Sequence, residues 1–196
     1  MPRALTPPLL GLAAAAIVST LAGCDAGRAD TESAHATLTD TAAGTWSANK
    51  GAVPITTAST DARRLYLEGR ARSEQLRAHD GRELYRQAAD KDPSFAMAHY
   101  QLAANAATAR DFFEHMKRAS ALAGRVSEGE RLMILALEAG GNADPAKAFE
   151  YTGQLAAKYP QDERAHFLLG NALFGRQEYD KAIREYRSAV ELDPRF

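Results

Sequence analysis

Residues 163–196 read ERAHFLLGNALFGRQEYDKAIREYRSAVELDPRF, a pattern that predicts two short helices joined by a turn. Apolar residues recur at helical spacing in both halves, at Leu169, Leu173, Ile183, Tyr186 and Val190. Small residues fall where the two helices must approach closely, namely Gly170, Ala182 and Ala189, and Pro194 ends the second helix. A hairpin of this size cannot bury its apolar faces alone, so the pattern predicts stacked neighbours.

These residues resemble the tetratricopeptide repeat family. The family pattern has Leu-Gly at positions 7 and 8, Ala at 20 and 27, an aromatic residue at 24 and Pro at 32. The matching residues are Leu169, Gly170, Ala182, Tyr186, Ala189 and Pro194, while His166 replaces the usual Trp at position 4. The resemblance implies an all-α, right-handed superhelical solenoid that serves as a binding scaffold.

The register extends back along the chain and predicts about four hairpins over residues 59–196, with repeats starting near residues 62, 96, 129 and 163. The first repeat keeps Gly69, Tyr85, Ala88 and Pro93 but has Gly81 at position 20. The second is degenerate in its second helix, with His115 at that position. In the third, Ser127 and Glu130 have the spacing of a capping box, and Asp144-Pro145 predicts an N-cap followed by proline at N1.

In the family, the first helices line a concave groove that holds peptides or partner helices. Carried over position by position, the resemblance assigns this groove to Arg63, Tyr66, Arg70, Met97, Tyr100, Glu130, Met133, Arg164, Phe167, Asn171 and Phe174. Aromatic residues, methionines and arginines are typical of interface hot spots. The alternative is that Phe167 and Phe174 fill the packing between repeats.

The N-terminus predicts export and a lipid anchor. Met1 and Arg3 precede an apolar run from Leu9 to Ala22, which is shorter than the roughly 20 residues that a membrane-spanning helix needs. The run ends in Leu-Ala-Gly-Cys at Cys24, the only cysteine. This motif resembles the lipobox of bacterial lipoproteins, which implies a signal peptide over residues 1–23 and acylation of Cys24. An ordinary signal peptide with an incidental cysteine is the alternative. The resemblance implies a domain on the periplasmic or extracytoplasmic side, and Asp25 leaves the choice between inner and outer membrane open.

Residues 24–58 are rich in Thr, Ala, Ser, Gly and Asp and lack apolar periodicity. Such a composition predicts a flexible linker, because it offers too little apolar surface to offset the entropy of ordering. Trp46, the only tryptophan, is either an isolated aromatic residue in this linker or an anchor that docks on the domain or on a partner.

Charge and motifs argue against several functional classes. From Ser59 onward the chain has 21 Lys and Arg against 21 Asp and Glu, so there is no general basic field for nucleic acid. The histidines lack metal-ligand spacing, and no phosphate loop or nucleophile motif occurs. We therefore expect no catalytic residue, no cofactor and no metal, and we expect His99 and His166, which share repeat position 4, to be structural.

The last hairpin has no polar capping helix after it, so we expect either a continuing array or an end that packs against another chain, including self-association. The sequence favours a membrane-anchored adaptor that binds proteins or peptides of the cell envelope. Two alternatives stay open: the repeats belong to a larger multidomain protein with a catalytic or signalling part, or the solenoid binds a glycan or small ligand.

Overall fold

The computed structural model describes residues 39–41, 45–47 and 51–195. Eight α-helices follow one another in this part of the chain: α1 Thr60–Glu74, α2 Ala78–Lys91, α3 Ala96–Ala104, α4 Ala109–Leu122, α5 Glu128–Gly141, α6 Pro145–Lys158, α7 Glu163–Gly175 and α8 Tyr179–Leu192. A short 3-10 turn, Ala123–Arg125, follows α4. None of the helices in the described residues combines the length and the apolar character needed to cross a bilayer.

The helices form four consecutive hairpins, α1–α2, α3–α4, α5–α6 and α7–α8. The two helices of each hairpin pack on each other, and the second helix of each of the first three hairpins packs on the first helix of the next. A single hydrophobic core runs through the stack and contains side chains from the first helix of every hairpin. The predicted all-α solenoid of four hairpins is confirmed.

Side chains at the helix starts fix where several helices begin. The Ser127 hydroxyl accepts the Glu130 backbone N–H while the Glu130 carboxylate accepts the Ser127 N–H, so the predicted capping box is present. The Asp144 carboxylate accepts the Lys147 N–H ahead of Pro145, as the sequence predicts for the start of α6. Each such cap satisfies donors that the first helical turn leaves unpaired, and is worth about 1 kcal/mol.

Glycine at repeat position 8 makes room for a tyrosine at position 24 in the first and last hairpins. A β-carbon on Gly69 would lie 2.7 Å from Cε1 of Tyr85, and one on Gly170 would lie 2.5 Å from Cε1 of Tyr186. Both distances are far inside van der Waals contact, so a larger residue would push the two helices of the hairpin apart. The glycine of the Leu-Gly pair therefore allows the two helices of the hairpin to pack closely.

The turns within three hairpins share one backbone feature. Leu76, Ala143 and Gln177 all have positive φ, at 60°, 56° and 63°. They occupy the same place, between the two helices of the first, third and fourth hairpins. A residue with a β-carbon is strained in this left-handed conformation.

Short strands precede α1. Thr39–Thr41 (β1), Thr45–Ser47 (β2) and Ile55–Thr56 (β3) form an antiparallel sheet in the order β1-β2-β3, with Asp40 opposite Trp46 and Trp46 opposite Ile55. The two readings of the Trp46 side chain stay predictions, because that side chain lies outside the described part of the chain.

Residues 53–57, called the strap below, contradict the predicted end of the linker at residue 58. Val53, Ile55 and Thr57 are buried, with exposed fractions of 2%, 4% and 5%. In an extended segment alternate side chains point to the same side, so Val53, Ile55 and Thr57 share the face that is buried. The packed domain therefore begins by Val53. Most of the remaining linker, the signal peptide and Cys24 lie outside the described residues.

Candidate functional site

The predicted groove residues fall into two groups. Most of them are buried in the interior of the stack: Arg63, Tyr66, Met97, Tyr100, Glu130, Met133 and Arg164. Arg70 is half-buried, whereas Phe167, Asn171 and Phe174 on α7 are exposed. The structure therefore brings the residues of the first three hairpins and Arg164 into one interior and leaves the rest of α7 open. That a partner contacts these side chains stays a prediction.

The strap lies against the interior group and is held there by polar contacts to its backbone. Oε1 of Glu130 accepts the Thr56 backbone N–H at 2.8 Å, and Oε2 accepts the Thr56 hydroxyl at 2.6 Å. The same Oε2 also accepts the Ser127 N–H of the capping box at 3.0 Å. Glu130 is 1% exposed, so one buried carboxylate both caps α5 and binds the strap.

The other end of the strap binds an ion pair at the start of α7. Oδ2 of Asp162 accepts the Val53 N–H at 2.7 Å, and Nη2 of Arg164 donates to the Val53 carbonyl at 3.1 Å. The same Nη2 lies 2.5 Å from Oδ2 of Asp162. Burial alone would raise the pKa of Asp162, but the charge and hydrogen bonds of Arg164 outweigh it and lower that pKa. Arg164 thus favours the ionised form of Asp162, and the Val53 N–H adds a further hydrogen bond to the same carboxylate.

The side chains of Val53 and Thr57 contact residues of the helices and of the turn after the first hairpin. A β-carbon on Gly129 would lie 2.7 Å from both methyl carbons of Val53, so the absence of a side chain on α5 creates the space that Val53 fills. The Thr57 hydroxyl donates to Oδ2 of Asp92 at 2.6 Å. The strap thus runs from the start of the fourth hairpin, past the third, to the turn that follows the first.

The first and fourth hairpins meet beside the strap. Nη2 of Arg70 on α1 lies 2.8 Å from Oε1 of Glu163 on α7 and 3.1 Å from Oε1 of Glu74. A cavity of about 210 Å³ lies here, lined by Ala52, Val53, Ile55, Leu67, Arg70, Ala71, Glu74, Glu163, Arg164, Asp193 and Arg195. Its arginines form ion pairs with neighbouring carboxylates, so it presents balanced charge to a ligand.

The last hairpin carries most of the exposed large apolar side chains of the described residues. Phe167 is 39% exposed and Phe174 is 58% exposed. Phe174 packs edge-on against Tyr179, with ring centroids 5.4 Å apart, and the Tyr186 hydroxyl donates to the Asn171 side-chain oxygen at 2.9 Å. Aromatic rings with polar groups beside them are what protein interfaces favour.

The outer face of α8 is also apolar and open. At repeat position 28 the first three hairpins have alanines, Ala89, Ala123 and Ala156, each 8% exposed, whereas the fourth has Val190 at 48%. At position 21, Met116 is 4% exposed and Ile183 is 46% exposed. A shallow depression on this face is lined by Ile183, Tyr186, Arg187, Val190 and Glu191. Within the described residues, the corresponding face of α8 is therefore about half exposed at Ile183 and Val190.

Two histidines at repeat position 4 have the structural role that the sequence predicts. Nε2 of His99 lies 3.2 Å from the Pro93 carbonyl oxygen, and Nε2 of His166 lies 3.1 Å from that of Pro160. Each ring thus ties a first helix to the turn before it. Among residues 51–195, no group of three or more His, Cys, Asp or Glu side chains has a metal-binding arrangement.

The comparisons with known proteins agree with this repeat unit. The family model described as "Tetratricopeptide repeat" matches residues 163–196. The last hairpin, α7–α8, therefore has the pattern of a tetratricopeptide repeat. No curated protein matches the chain.

Among solved structures, the chain is similar to the crystal structure of MamA. The two are 20% identical over 68% of this chain and 79% of that one, with a TM-score of 0.37. It is also similar to YrrB, described as a TPR protein with an unusual peptide-binding site. Here the identity is 20% over 68% of this chain and 70% of that one, with a TM-score of 0.38.

Sequence reasoning missed the strap and its partners. The alternation of Val53, Ile55 and Thr57 was the available signal, but it covers only five residues and contains Pro54. Asp162 was missed because an acidic residue ahead of a helix is expected to be a solvated cap, whereas its carboxylate is completely buried. Only the folded arrangement brings residues 53 and 162 together.

Proposed function

We propose that this tetratricopeptide-repeat protein is an exported, lipid-anchored scaffold that binds a helical segment of a cell-envelope protein on its last hairpin. The repeat architecture supports the general role, because stacked hairpins provide extended surfaces for protein partners. The Leu-Ala-Gly-Cys motif at Cys24 supports the anchor and the location outside the cytoplasm.

The observation that carries the proposal is the exposed face of α8. Three times within the chain, a second helix with the same repeat positions is covered by the first helix of the next hairpin. Val190 and Ile183 are the corresponding residues of α8, and they are about half exposed. The surface that fits this face is therefore an amphipathic helix with a strip of small and apolar residues.

The charges at the edge of this face specify the partner further. Arg187 and Glu191 flank the apolar residues of the depression. A partner helix that places an acidic residue near Arg187 and a basic residue near Glu191 would be favoured, chiefly in specificity and rate of association. Exposed Phe174 and Tyr179 offer a second apolar contact at the other end of the same hairpin.

Site-specific photo-crosslinking in the native membrane tests this proposal. A photoreactive residue at Arg187 is expected to capture a defined protein, and the pair Ile183→Ser and Val190→Ser is expected to abolish the adduct. Phe113→Ser is the matched control, because Phe113 is 54% exposed on α4, outside the proposed surface. A second copy of this chain in the adduct would mean self-association, and an adduct that survives the pair of substitutions would refute the α8 surface.

Lipid attachment has its own test. Incorporation of a labelled fatty acid is expected in the wild-type chain and is expected to disappear with Cys24→Ala. Equal labelling of the two chains would contradict the anchor and leave the binding surface untouched.

A further inference from the structure

Two histidines face each other within the second hairpin. His99 lies on α3 and His115 lies on α4, and their rings are nearly parallel, with an angle of 21° between the ring planes. The ring centroids are 5.7 Å apart and the Nδ1 atoms are 3.4 Å apart. The difference is about two imidazole ring radii, so both Nδ1 atoms lie close to the line that joins the ring centres. Because the lone pairs of opposed nitrogens repel, this arrangement needs a proton or a cation between them.

The contact with Pro93 fixes which nitrogen of His99 carries the hydrogen. Nε2 of His99 lies 3.2 Å from the Pro93 carbonyl oxygen, and a carbonyl can only accept, so the hydrogen of the neutral ring is on Nε2. The lone pair of Nδ1 is then directed at His115. A histidine that binds a metal through one nitrogen usually donates its other N–H to a carbonyl or a carboxylate. His99, which is 4% exposed, is therefore held in the orientation of a metal ligand.

The surroundings of the pair favour neutral rings. Burial is the largest cause of the lowered pKa of both imidazoles, and the charge of Arg118 acts in the same direction on each. Asp92 opposes this shift at His99, while Glu114 and Asp111 oppose it at His115. Metals bind the neutral form of imidazole, so near pH 7 a metal would not have to displace a charged ring's proton.

The number and direction of the ligands select the class of metal. In the part of the chain that the structure describes, no third His, Cys, Asp or Glu side chain completes a metal-binding group with the pair. A structural zinc ion takes four ligands that converge tetrahedrally, whereas these two nitrogens are opposed. Copper suits imidazole ligands, and the monovalent ions of copper and silver accept two opposed nitrogens in a linear arrangement. A single charge also costs less to bury than a double charge.

We infer that His99 and His115 form a two-coordinate site for a monovalent ion of the copper(I) class, bound linearly between their Nδ1 atoms. Two nitrogen–metal bonds of about 2.0 Å each span about 4 Å, so the rings need to separate by about 0.6 Å from their present 3.4 Å. His115 is half-buried and can make this shift toward the solvent. The proton that lies between the two rings moves to Nε2 of His115. This site is independent of the α8 surface, since it belongs to the second hairpin.

Isothermal titration calorimetry with silver nitrate in chloride-free buffer tests the inference. The full-length chain carries Cys24→Ala throughout, because a thiol would itself bind silver. One silver ion is expected to bind per chain, and His115→Gln is expected to weaken its binding at least about tenfold, since it removes one of the two ligands. Equal affinity with and without His115→Gln would overturn the inference.

His166→Gln is the matched control. His166 shares repeat position 4 and the contact with a carbonyl, but its Nδ1 lies 2.8 Å from Oε2 of Glu185 instead of facing a second imidazole. This substitution is expected to leave silver binding unchanged. Zinc sulfate is expected to bind at least about tenfold more weakly than silver, since two opposed nitrogens do not make a tetrahedral site. Zinc binding as tight as silver binding would refute a linear, monovalent site.

Nuclear magnetic resonance keeps the inference testable if His115→Gln disturbs the fold. Long-range ¹H–¹⁵N spectra of the histidine-labelled chain with Cys24→Ala are expected to show silver shifting Nδ1 of both His99 and His115, with Nε2 of His99 still protonated. Copper(I), supplied anaerobically with ascorbate, is expected to shift the same two nitrogens. Shifts confined to other histidines, or no response to copper(I), would show the inference to be wrong.

Discussion

The first three hairpins and the last one use the same repeat in opposite ways. In the first three, most of the predicted groove residues are buried against the strap or one another, and the alanines at repeat position 28 are covered by the next hairpin. In the last hairpin, inward-facing Phe174 and outward-facing Val190 are both about half exposed. The family pattern therefore specifies a fold, while the neighbours of each hairpin determine which of its surfaces are free to bind.

The sharpest way to test this contrast is to remove one charge from the interior. Arg164→Met leaves Asp162, which has no exposed surface, without its ion-pair partner. Breaking a buried pair in this way typically costs about 3–5 kcal/mol of the free energy of unfolding. Urea unfolding monitored by circular dichroism would measure the loss.

Arg195→Met is the control for this measurement. Arg195 also pairs with an aspartate, Asp193 at 2.9 Å, but its side chain is 85% exposed. Exposed pairs contribute about 0–1 kcal/mol. Similar losses for the two substitutions would mean that the interior is as solvated as the end of the chain.

Substitutions at repeat position 21 compare a covered and an uncovered hairpin directly. Met116→Ala, at a residue with 4% exposure, is expected to cost about 2–5 kcal/mol through lost burial and a residual cavity. Ile183→Ala, at 46% exposure, is expected to change the free energy of unfolding by less than about 1 kcal/mol. Denaturant curves for the two variants at low protein concentration would decide the point. A large loss for Ile183→Ala would indicate that α8 is already covered by another chain.

Substitutions at two glycines of α5 distinguish the packing of the strap from the stability of the helix itself. Gly129→Ala places a methyl group where Val53 sits, so it is expected to cost about 1–3 kcal/mol through overpacking. Gly140→Ala meets nothing within 4 Å, and it is expected to stabilise the protein by up to about 1 kcal/mol because alanine favours the helix.

Adding Val53→Ala to Gly129→Ala is expected to recover part of the lost free energy, which thermal or urea unfolding would show. No recovery would assign the loss to Tyr159, whose Cε2 would lie 2.9 Å from the new β-carbon.

The smallest expected effect concerns pH and the second hairpin. The rings of His99 and His115 are stacked, with Nδ1 atoms 3.4 Å apart. Burial lowers the pKa of both imidazoles, and the neighbouring His99 lowers that of His115 further. The unfolded chain then binds more protons than the folded one near and below the ordinary histidine pKa of about 6.5.

The stability that the two neutral histidines contribute is thus complete above about pH 6.5 and is lost as the pH falls toward their lowered folded-state pKa values. Thermal unfolding between pH 7.5 and pH 5 is expected to show a decrease in Tm. His115→Gln is expected to flatten this decrease, whereas His79→Gln, an exposed control, should leave it unchanged. An unchanged slope in His115→Gln would exclude the pair as the cause.

The sequence predicted the stack because its information is local and repeated. Glycine at position 8, alanines at positions 20 and 27 and proline at position 32 act within one hairpin, so the sequence predicted the close approach of the helices at Gly170, and the structure shows that Tyr186 fills the space. Likewise the capping box at Ser127 and the start of α6 at Pro145 depend only on residues three or four apart.

The interior could not be predicted in the same way. The contacts of Val53 with Asp162 and of Arg70 with Glu163 join residues about a hundred positions apart. They depend on the curvature of the stack of four hairpins. The family pattern assigns inward-facing positions, but it does not say what covers them. In this chain the strap covers two of these positions, and Glu130 and Arg164 bind the chain's own backbone.

The course of the strap also determines how the domain would bear a mechanical load. The chain enters beside the fourth hairpin, where a β-carbon on Gly51 would lie 3.3 Å from Cβ of Gln161, and only then crosses to α1. A pull applied at Gly51 would therefore be resisted first by the contacts of Val53 with Asp162 and Arg164. Force would reach α1 only after these contacts had broken. They therefore protect the helical repeats from unfolding from the N-terminal end.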